Sequence, residues 1–386
     1  MRRLILSLTV LLCCSGVAAA QMKFPQGGTK SVATSVEKPT PKPVKKKKAP
    51  PPPKSPPAKE LFGSVAEPAP IEARAIGSYS KGCLAGGMSL PIDGPDWQVM
   101  RLSRNRNWGS PQLVQFLERL SSDARALDGW PGLLVGDMSQ PRGGPMLTGH
   151  TSHQVGLDAD IWLTPMPDRT LTPEEREDIS AVTMLKDPLT VDPKVFTDLH
   201  VKLIRRAASY PQVARIFVHP AIKKSLCQRA DKFGKDQSWL AKVRPWWNHH
   251  YHFHIRLACP DGMAGCVNQN PVTGDLGCGK ELDNWYDMLK KSAIWTAQQE
   301  FDPDAKPAPK KNPLRLTDLP GDCKTVLTSG GYEPLTADAE LPPEAIAAME
   351  TKEAGPSVPR LDEAQLQTLL NGGKLSMPIP DRNPIR

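Results

Sequence analysis

The residues best suited to chemistry in this chain are histidines clustered near position 250. Four of its eight histidines fall within six consecutive positions, namely His249, His250, His252 and His254. The aromatic and β-branched residues around them predict a strand over 251–257. Side chains two apart on a strand point to the same face, so His252 and His254 should share one face, whereas Phe253 and Ile255 should face the core. Two imidazoles on one face favour a metal site over a packing role, because each offers a neutral nitrogen near pH 7.

A second polar cluster, over residues 149–160, contains the ligand types that would complete such a site. A catalytic zinc site usually has three protein ligands, from histidine and carboxylate side chains, and one open position for water. His153 and Asp160 are close in sequence, and Gly156 between them lets the chain turn into a strand. His254 can supply the third ligand from the distant strand. We therefore predict a zinc site at His153, Asp160 and His254.

Neighbouring residues on the same strand faces have roles that the sequence leaves open. Asp158 shares a face with Asp160, so either carboxylate can be the ligand. Arg256 can balance a substrate carboxylate or form a structural ion pair. His252, beside the ligand His254, is placed to take a proton from a water molecule and hand it to a leaving amine. Together these residues favour metal-assisted hydrolysis of an amide bond.

The elements that would position these residues follow from hydrophobic spacing. Apolar residues at helical spacing predict helices over 111–127, 193–208 and 221–227. Buried or alternating runs predict strands over 133–135, 157–163, 215–218 and 251–257. Helices and strands interleave irregularly, which favours an α+β fold, an antiparallel sheet with flanking helices in a single catalytic domain, over a doubly wound sheet.

The amino terminus has the pattern of a secretory signal peptide. Arg2 and Arg3 precede an apolar run over 4–12, and small residues lead to a predicted cleavage site before Gln21. The run is too short for a stable membrane span, and no later stretch is long and apolar enough for one. A lipid-modified Cys13 is the alternative, but bulky Leu12 makes a poor cleavage context. We therefore expect export and no membrane span.

Composition divides the chain into parts of different character. The net charge of +8 is concentrated in a lysine run at 45–48, inside a stretch rich in proline and lysine. An exported chain meets cell-envelope polyanions before nucleic acid, so we interpret this stretch as a solvated tether rather than a nucleic-acid site. The predicted parts are a signal peptide (1–20), a Pro/Lys-rich linker (21–75) and a peptidase domain (76–295). A Pro/Lys-rich segment that returns through Cys323 (296–329) follows. The last part is a mostly disordered tail (330–386) with one short helix over 362–370.

The cysteines predict disulfide bonds. Of eight cysteines, two lie in the predicted signal peptide, and six remain: Cys83, Cys227, Cys259, Cys266, Cys278 and Cys323. An even number in an exported chain indicates disulfides, and no pair has the C-x-x-C spacing of a zinc knuckle or redox site. Spacing alone does not choose among the possible pairings.

Two segments carry a family resemblance. Residues 152–160, SHQVGLDAD, and 246–256, WWNHHYHFHIR, resemble those of the penicillin-insensitive murein endopeptidases. That family belongs to the wider group of lysostaphin-type, D-Ala-D-Ala-peptidase and hedgehog-like zinc folds. The resemblance covers roughly 76–290. Because both segments occur in order with their flanking residues intact, it is far more specific than an isolated H-x-H.

The resemblance implies a substrate and a set of roles. Family members cleave the D-alanyl–meso-diaminopimelyl crosslink between peptidoglycan stems in the periplasm. Their zinc ligands match His153, Asp160 and His254. The catalytic base matches His252, and a further active-site histidine, which stabilises the transition state, matches His249.

The resemblance also implies a second zinc position and a disulfide pattern. The second zinc position matches His150 and Asp187, but Thr190 stands where the family has a third histidine. His150 can instead support the first site or contact substrate. The implied disulfides are Cys83–Cys323, Cys227–Cys278 and Cys259–Cys266.

Other function classes remain as alternatives. A non-catalytic zinc module that binds the cell wall, and a D,D- or L,D-carboxypeptidase, would share the same fold. Ser-x-x-Lys occurs at 35–38 and 78–81, but neither Ser-Asp-Asn nor Lys-Thr-Gly accompanies it, which argues against a serine enzyme of the penicillin-binding class. No sequence pattern indicates an oligomeric state.

Overall fold

We describe the protein from a computed structural model that covers residues 55–272, 274–299, 312–336, 339–350 and 355–373. The predicted signal peptide, most of the predicted linker and parts of the two carboxy-terminal segments lie outside these ranges. None of the helices within them combines the length and apolar character needed to cross a membrane.

Strands and helices alternate irregularly along the described chain. The strands are β1 (Arg74–Ser78), β2 (Lys81–Ala85), β3 (Met88–Ser89), β4 (Trp97–Val99), β5 (Trp108–Gly109), β6 (Leu133–Val135), β7 (Asp158–Trp162), β8 (Leu185–Asp187), β9 (Thr190–Val191), β10 (Val213–Val218), β11 (Val243–Pro245) and β12 (His252–Leu257). The helices are α1 (Ala58–Gly63), α2 (Pro111–Asp128), α3 (Pro173–Asp178), α4 (Asp198–Ser209), α5 (Pro220–Arg229), α6 (Lys280–Gln299), α7 (Asp322–Thr328), α8 (Pro343–Glu350) and α9 (Glu363–Leu370). This order confirms the α+β class.

A six-stranded sheet carries the predicted chemistry. Its strand order is β11-β10-β12-β7-β6-β4, and the four central strands are antiparallel. The two outer pairs, β10 with β11 and β4 with β6, are parallel. The prediction of an antiparallel sheet is therefore wrong at both edges. In each outer pair a helix, α5 or α2, lies between the two strands in sequence, and such a crossover returns the chain in the same direction.

The helix over 193–208 begins later than predicted. Thr197 is the N-cap of α4, and its backbone N–H donates to Nδ1 of His200 over 3.1 Å. The other ring nitrogen of His200 donates to the Leu163 carbonyl over 3.0 Å. Because this capping interaction fixes the first turn at Asp198, Pro193 stays outside the helix. His200 is thus a satisfied structural histidine.

The main core lies between the sheet and helices α2, α4 and α5. Helix α2 begins at the predicted residue, because Ser110 caps it by accepting from the Leu113 N–H, and it ends at Gly129 in the left-handed conformation. Phe253 and Ile255 of β12 are fully buried, as the strand pattern predicts. The opposite face of β12 is therefore left for His252 and His254.

The three implied disulfides are confirmed. Cys83–Cys323, Cys227–Cys278 and Cys259–Cys266 are all bonded. The first joins β2 to α7, on the far side of the sequence gap at 300–311.

A small second core differs from the predicted linker. Residues 55–75 contain α1, whose Leu61 and Phe62 are buried in a cluster with Val326 and Leu327 of α7. These few apolar residues fall in the predicted linker because the residues before them are rich in proline and lysine. The described end of the linker is therefore packed, not extended.

The predicted tail contains two described helices. Asp362 caps α9 by accepting from the Gln365 N–H, close to the predicted helix at 362–370. Leu369 of α9 packs near Tyr286 and Leu282 of α6. Helix α8 was not predicted. The described ranges 339–350 and 355–373 therefore contain one helix more than the mostly disordered tail with one short helix that the sequence predicts.

Candidate active site

The sheet brings the two predicted polar clusters onto one face. Strands β7 and β12 are antiparallel neighbours, and their register places residues of the two clusters directly opposite each other: His252 opposite Trp162, His254 opposite Asp160 and Arg256 opposite Asp158. Side chains alternate along each strand, so these pairs share a face. Residues far apart in the chain therefore meet at this one position.

Asp160 is the centre of the arrangement. Its Oδ1 lies 3.5 Å from Nε2 of His153 and 3.1 Å from Nδ1 of His254. Its Oδ2 lies 3.4 Å from Nδ1 of His150 and 3.6 Å from Nε2 of His252. Burial alone would raise the pKa of Asp160, but the surrounding histidines, His252 foremost, hold it well below its usual range. The predicted ligands His153, Asp160 and His254 are thus brought together.

Several atoms in this group are buried without a hydrogen-bond partner among the described residues. They include both ring nitrogens of His153, Oδ1 of Asp160 and Nδ1 of His252. Ligand atoms of His150, His153 and Asp160 all lie within 4.8 Å of one another. Buried polar atoms normally find a partner, so this convergence of unpartnered nitrogen and oxygen atoms fits a bound metal ion.

The loop before β7 aims His153 into the site. His153 has a left-handed backbone with φ of 66°, and Gly156 with φ of 69° follows it. The His153 N–H donates to Oδ2 of Asp158 over 3.0 Å. The loop is therefore held by the strand that it precedes.

Both carboxylate oxygens of Asp158 form hydrogen bonds to residues of the histidine group and its neighbours. Its Oδ1 accepts from Nε2 of His254 over 3.0 Å and from Nε of Arg256 over 2.7 Å. Burial would raise the pKa of Asp158, but Arg256 and then His254 lower it well below the usual range. Because Nε2 of His254 donates to Asp158, Nδ1 is the nitrogen of the neutral ring that is left to face Asp160 with its lone pair. Of the two alternatives for Arg256, the structure shows the structural ion pair, with Asp158.

Asp137 holds His150 in a similar way, and sequence reasoning had assigned it no role. Its Oδ2 accepts from Nε2 of His150 over 3.0 Å, from Arg106 over 2.8 Å and from Arg104 over 3.2 Å. The position of Asp137, just beyond the end of the buried strand β6, was the available signal.

His249 and His252 lie side by side at the rim of the group. Their ring centroids are 4.8 Å apart. His249 has φ of 49°, after Asn248 with φ of 58°, and its Nδ1–H donates to the Trp247 carbonyl over 2.6 Å. Burial and neighbouring histidines lower the pKa of His249 well below its usual value and that of His252 to about 4. Both rings are therefore neutral at pH 7.

Asp187 and Thr190 lie in the β8–β9 hairpin. Asp187 accepts from the Leu189 N–H over 2.8 Å and from the Thr190 hydroxyl over 2.5 Å. Among the described residues, the group with mutually close ligand atoms includes His150 but not Asp187. The structure therefore places the two predicted ligands of the second metal position in different hydrogen-bond networks.

A cleft of about 830 Å³ opens over the histidine group. Tyr79, Phe217 and Asn268 are among its lining residues. Trp246 and Trp247 also line it, with 51% and 38% of their surfaces exposed. Both tryptophans therefore form part of the cleft wall.

Comparisons with known proteins identify a family and several relatives of this chain. A family profile described as penicillin-insensitive murein endopeptidase matches residues 75–328. The chain is 46% identical over 231 residues to the penicillin-insensitive murein endopeptidase of Haemophilus influenzae, covering 58% of this chain and 79% of that protein. It is 39% identical over 264 residues to the protein of that name from Klebsiella pneumoniae subsp. pneumoniae, covering 68% and 89%. It is 42% identical over 228 residues to the one from Escherichia coli, covering 58% and 81%. With the profile matching well over half of its length, this chain belongs to the family of penicillin-insensitive murein endopeptidases.

Proposed function

We propose that this protein is a zinc-dependent endopeptidase of the periplasm that hydrolyses D-alanyl–meso-diaminopimelyl crosslinks in peptidoglycan. Family membership supports the reaction class, and the names of the relatives support murein as substrate. The three disulfides support export to an oxidising compartment. We also propose that the fold is of the hedgehog and D-Ala-D-Ala-peptidase type. The observation that carries the proposal is the convergence of unpartnered nitrogen and oxygen atoms around Asp160.

His153, Asp160 and His254 are the proposed zinc ligands. Two imidazoles and one carboxylate are a common catalytic donor set, which leaves a position for water. His254 is held by Asp158 and His150 by Asp137, so either ring presents Nδ1 to the site. We favour His254 because its side chain is only 4% exposed, whereas 25% of that of His150 is exposed. His150 is then free to contact substrate.

When bound, zinc supplies Lewis-acid chemistry, lowering the pKa of a water molecule and polarising the substrate carbonyl. His252 takes up a proton at Nε2, the ring nitrogen that faces Asp160, and returns it to the leaving amine. His249 already donates its Nδ1–H to Trp247. It can therefore stabilise developing negative charge only when Nε2 is protonated as well.

Metal analysis and product analysis of the same preparations test the proposal. We expect about one zinc per chain in the mature protein, and loss of that zinc together with activity in His254→Ala. His200→Gln, which alters a buried histidine outside the site, is the matched control and should keep both. Mass spectrometry of muropeptides released from crosslinked dimers, with and without chelator, identifies the bond.

Each alternative has its own outcome in this experiment. Zinc without hydrolysis would indicate a cell-wall-binding module, and release of a terminal residue without cleavage of dimers would indicate a carboxypeptidase. Retention of zinc by His254→Ala, with loss in His150→Ala, would replace His254 by His150 in the ligand set. Hydrolysis that persists after complete metal removal would refute the proposal.

A further inference from the structure

A second cavity of about 380 Å³ adjoins the candidate active site at the outer edge of the sheet. Phe217, Trp246 and Gln269 line both spaces. Phe217 of β10 is the register neighbour of His254 and lines both cavities. The same face of the sheet therefore continues from the proposed metal ligands into the second cavity. A substrate bound at the histidine group can therefore extend into this space.

Arg215 of β10 is the buried charge in this cavity. Only 8% of its surface is exposed. Its Nη1 donates to the Ala214 carbonyl over 2.9 Å and its Nη2 to the Asn270 carbonyl over 2.5 Å. Among the described residues, no carboxylate forms an ion pair with it. Buried arginines are usually paired with an acid, and the missing carboxylate partner makes Arg215 an exception.

The neighbouring arginines have their carboxylate partners. Arg244 is paired with Glu281, with Asp275 a further 3.9 Å contact. Arg256, the register neighbour of Arg215, is paired with Asp158. Burial, and then the charges of Arg244 and Arg256, lower the pKa of the Arg215 guanidinium, and the smaller opposing effect of Glu281 does not cancel them. The acids of this region are thus already engaged, and an incoming anion would balance the remaining charge.

The cavity walls suit an anion attached to an aliphatic chain. Trp246 and Trp285 have ring centroids 5.6 Å apart, and Phe217 lies 5.9 Å from Trp246. Gln269 accepts from Arg256 through Oε1 over 3.0 Å, which leaves its NH₂ group as a donor. A guanidinium and an amide donor between aromatic walls favour a carboxylate over a neutral group.

We propose that Arg215 binds a free carboxylate of the crosslinked peptide, beside the scissile bond. The inference rests on the proposed function, whose substrate supplies such a group: diaminopimelate carries a carboxylate on the same carbon as the amine of the crosslink. Arg215 is then a specificity-determining residue of the amine-side half of the substrate.

The test compares crosslinked peptide dimers whose diaminopimelate carboxylate is free or amidated. We expect amidation to lower kcat/KM of the wild-type zinc enzyme roughly tenfold to a hundredfold, mostly through KM, because a charge-assisted contact is lost. Arg215→Gln should lose a similar factor on the free acid and almost none on the amide. Arg119→Gln, which removes a side chain 70% exposed on α2, is the matched control and should discriminate as the wild type does.

Arg215→Lys and melting temperatures separate binding from folding. The lysine variant keeps the charge but not the planar donor pair, so it should fall between wild type and Arg215→Gln. If Arg215→Gln does not fold, the ratio of kcat/KM for the free and the amidated dimer, measured with the wild type and with Arg215→Lys, decides whether the carboxylate is recognised. Equal turnover of both dimers by the wild type, or unchanged discrimination by a folded Arg215→Gln, would overturn the inference. If the wild type cleaves neither dimer, the proposed function fails, and equilibrium binding of the two peptides then decides for or against the carboxylate site.

Discussion

Replacing Asp158 with asparagine should weaken metal binding without removing any proposed ligand. Oδ1 of Asp158 accepts from His254 and Arg256, and Oδ2 accepts from the His153 N–H. In Asp158→Asn, either orientation of the amide turns its NH₂ group toward one of these donors. Either the ring of His254 or the loop of His153 then loses the acceptor that holds it in position.

The expected magnitudes follow from these contacts. Loss of a group that orients metal ligands costs roughly 10- to 100-fold in metal affinity. Leaving Arg256 as a buried charge without its partner costs about 3–5 kcal/mol of unfolding free energy. For a domain of this size, that corresponds to a fall in Tm of the metal-free protein of roughly 10 °C.

Competition with a chromogenic chelator measures the metal affinity, and calorimetry of the metal-free protein measures the stability. Asp128→Asn, which breaks an ion pair with Arg206 away from the site, is the control and should leave metal affinity unchanged. Zinc affinity of Asp158→Asn within twofold of the wild type would refute the role that we assign to Asp158.

The other predictions concern stability. Removing Cys83–Cys323, which spans 240 residues, should cost about 5 kcal/mol, and removing Cys259–Cys266, which spans 7, about 2 kcal/mol, by urea unfolding of paired alanine variants. The reverse ranking would contradict loop entropy as the cause. Burial lowers the pKa of His200 from 6.5 to about 4, so the unfolded chain binds its proton first. The free energy of unfolding should therefore have its full value above about pH 6.5. It should fall by roughly 3 kcal/mol as the pH decreases toward 4, because the unfolded chain takes up the proton. His200→Gln should unfold with a shallower acid dependence than the wild type, and parallel pH profiles would show that His200 does not contribute.

Local patterns predicted the elements that position the site. The alternation around His252 and His254 predicted the strand and its buried face, and apolar residues at helical spacing predicted α2. These features depend on neighbours within a few residues, so one sequence is enough to find them. The two ligand segments could be matched because each is contiguous.

Long-range pairing could not be predicted in the same way. The parallel edge strand β11 is only three residues long, and nothing in Val243–Pro245 indicates its partner. The roles of Asp137 and Arg215 depend on which side chains the sheet register places beside them. Similarly, the packing of Phe62 could be seen only together with α7, which the Cys83–Cys323 bond joins to β2.

The left-handed backbone at two of the histidines affects how the protein can be engineered. His153 and His249 have φ of 66° and 49°, a region that costs a side-chain-bearing residue about 1–2 kcal/mol and that glycine enters freely. A screen that rewarded thermostability alone would therefore favour glycine at the half-buried His249 and discard the group proposed for transition-state stabilisation, whereas glycine at the fully buried His153 would leave a cavity. Libraries intended to yield robust variants should keep both codons fixed.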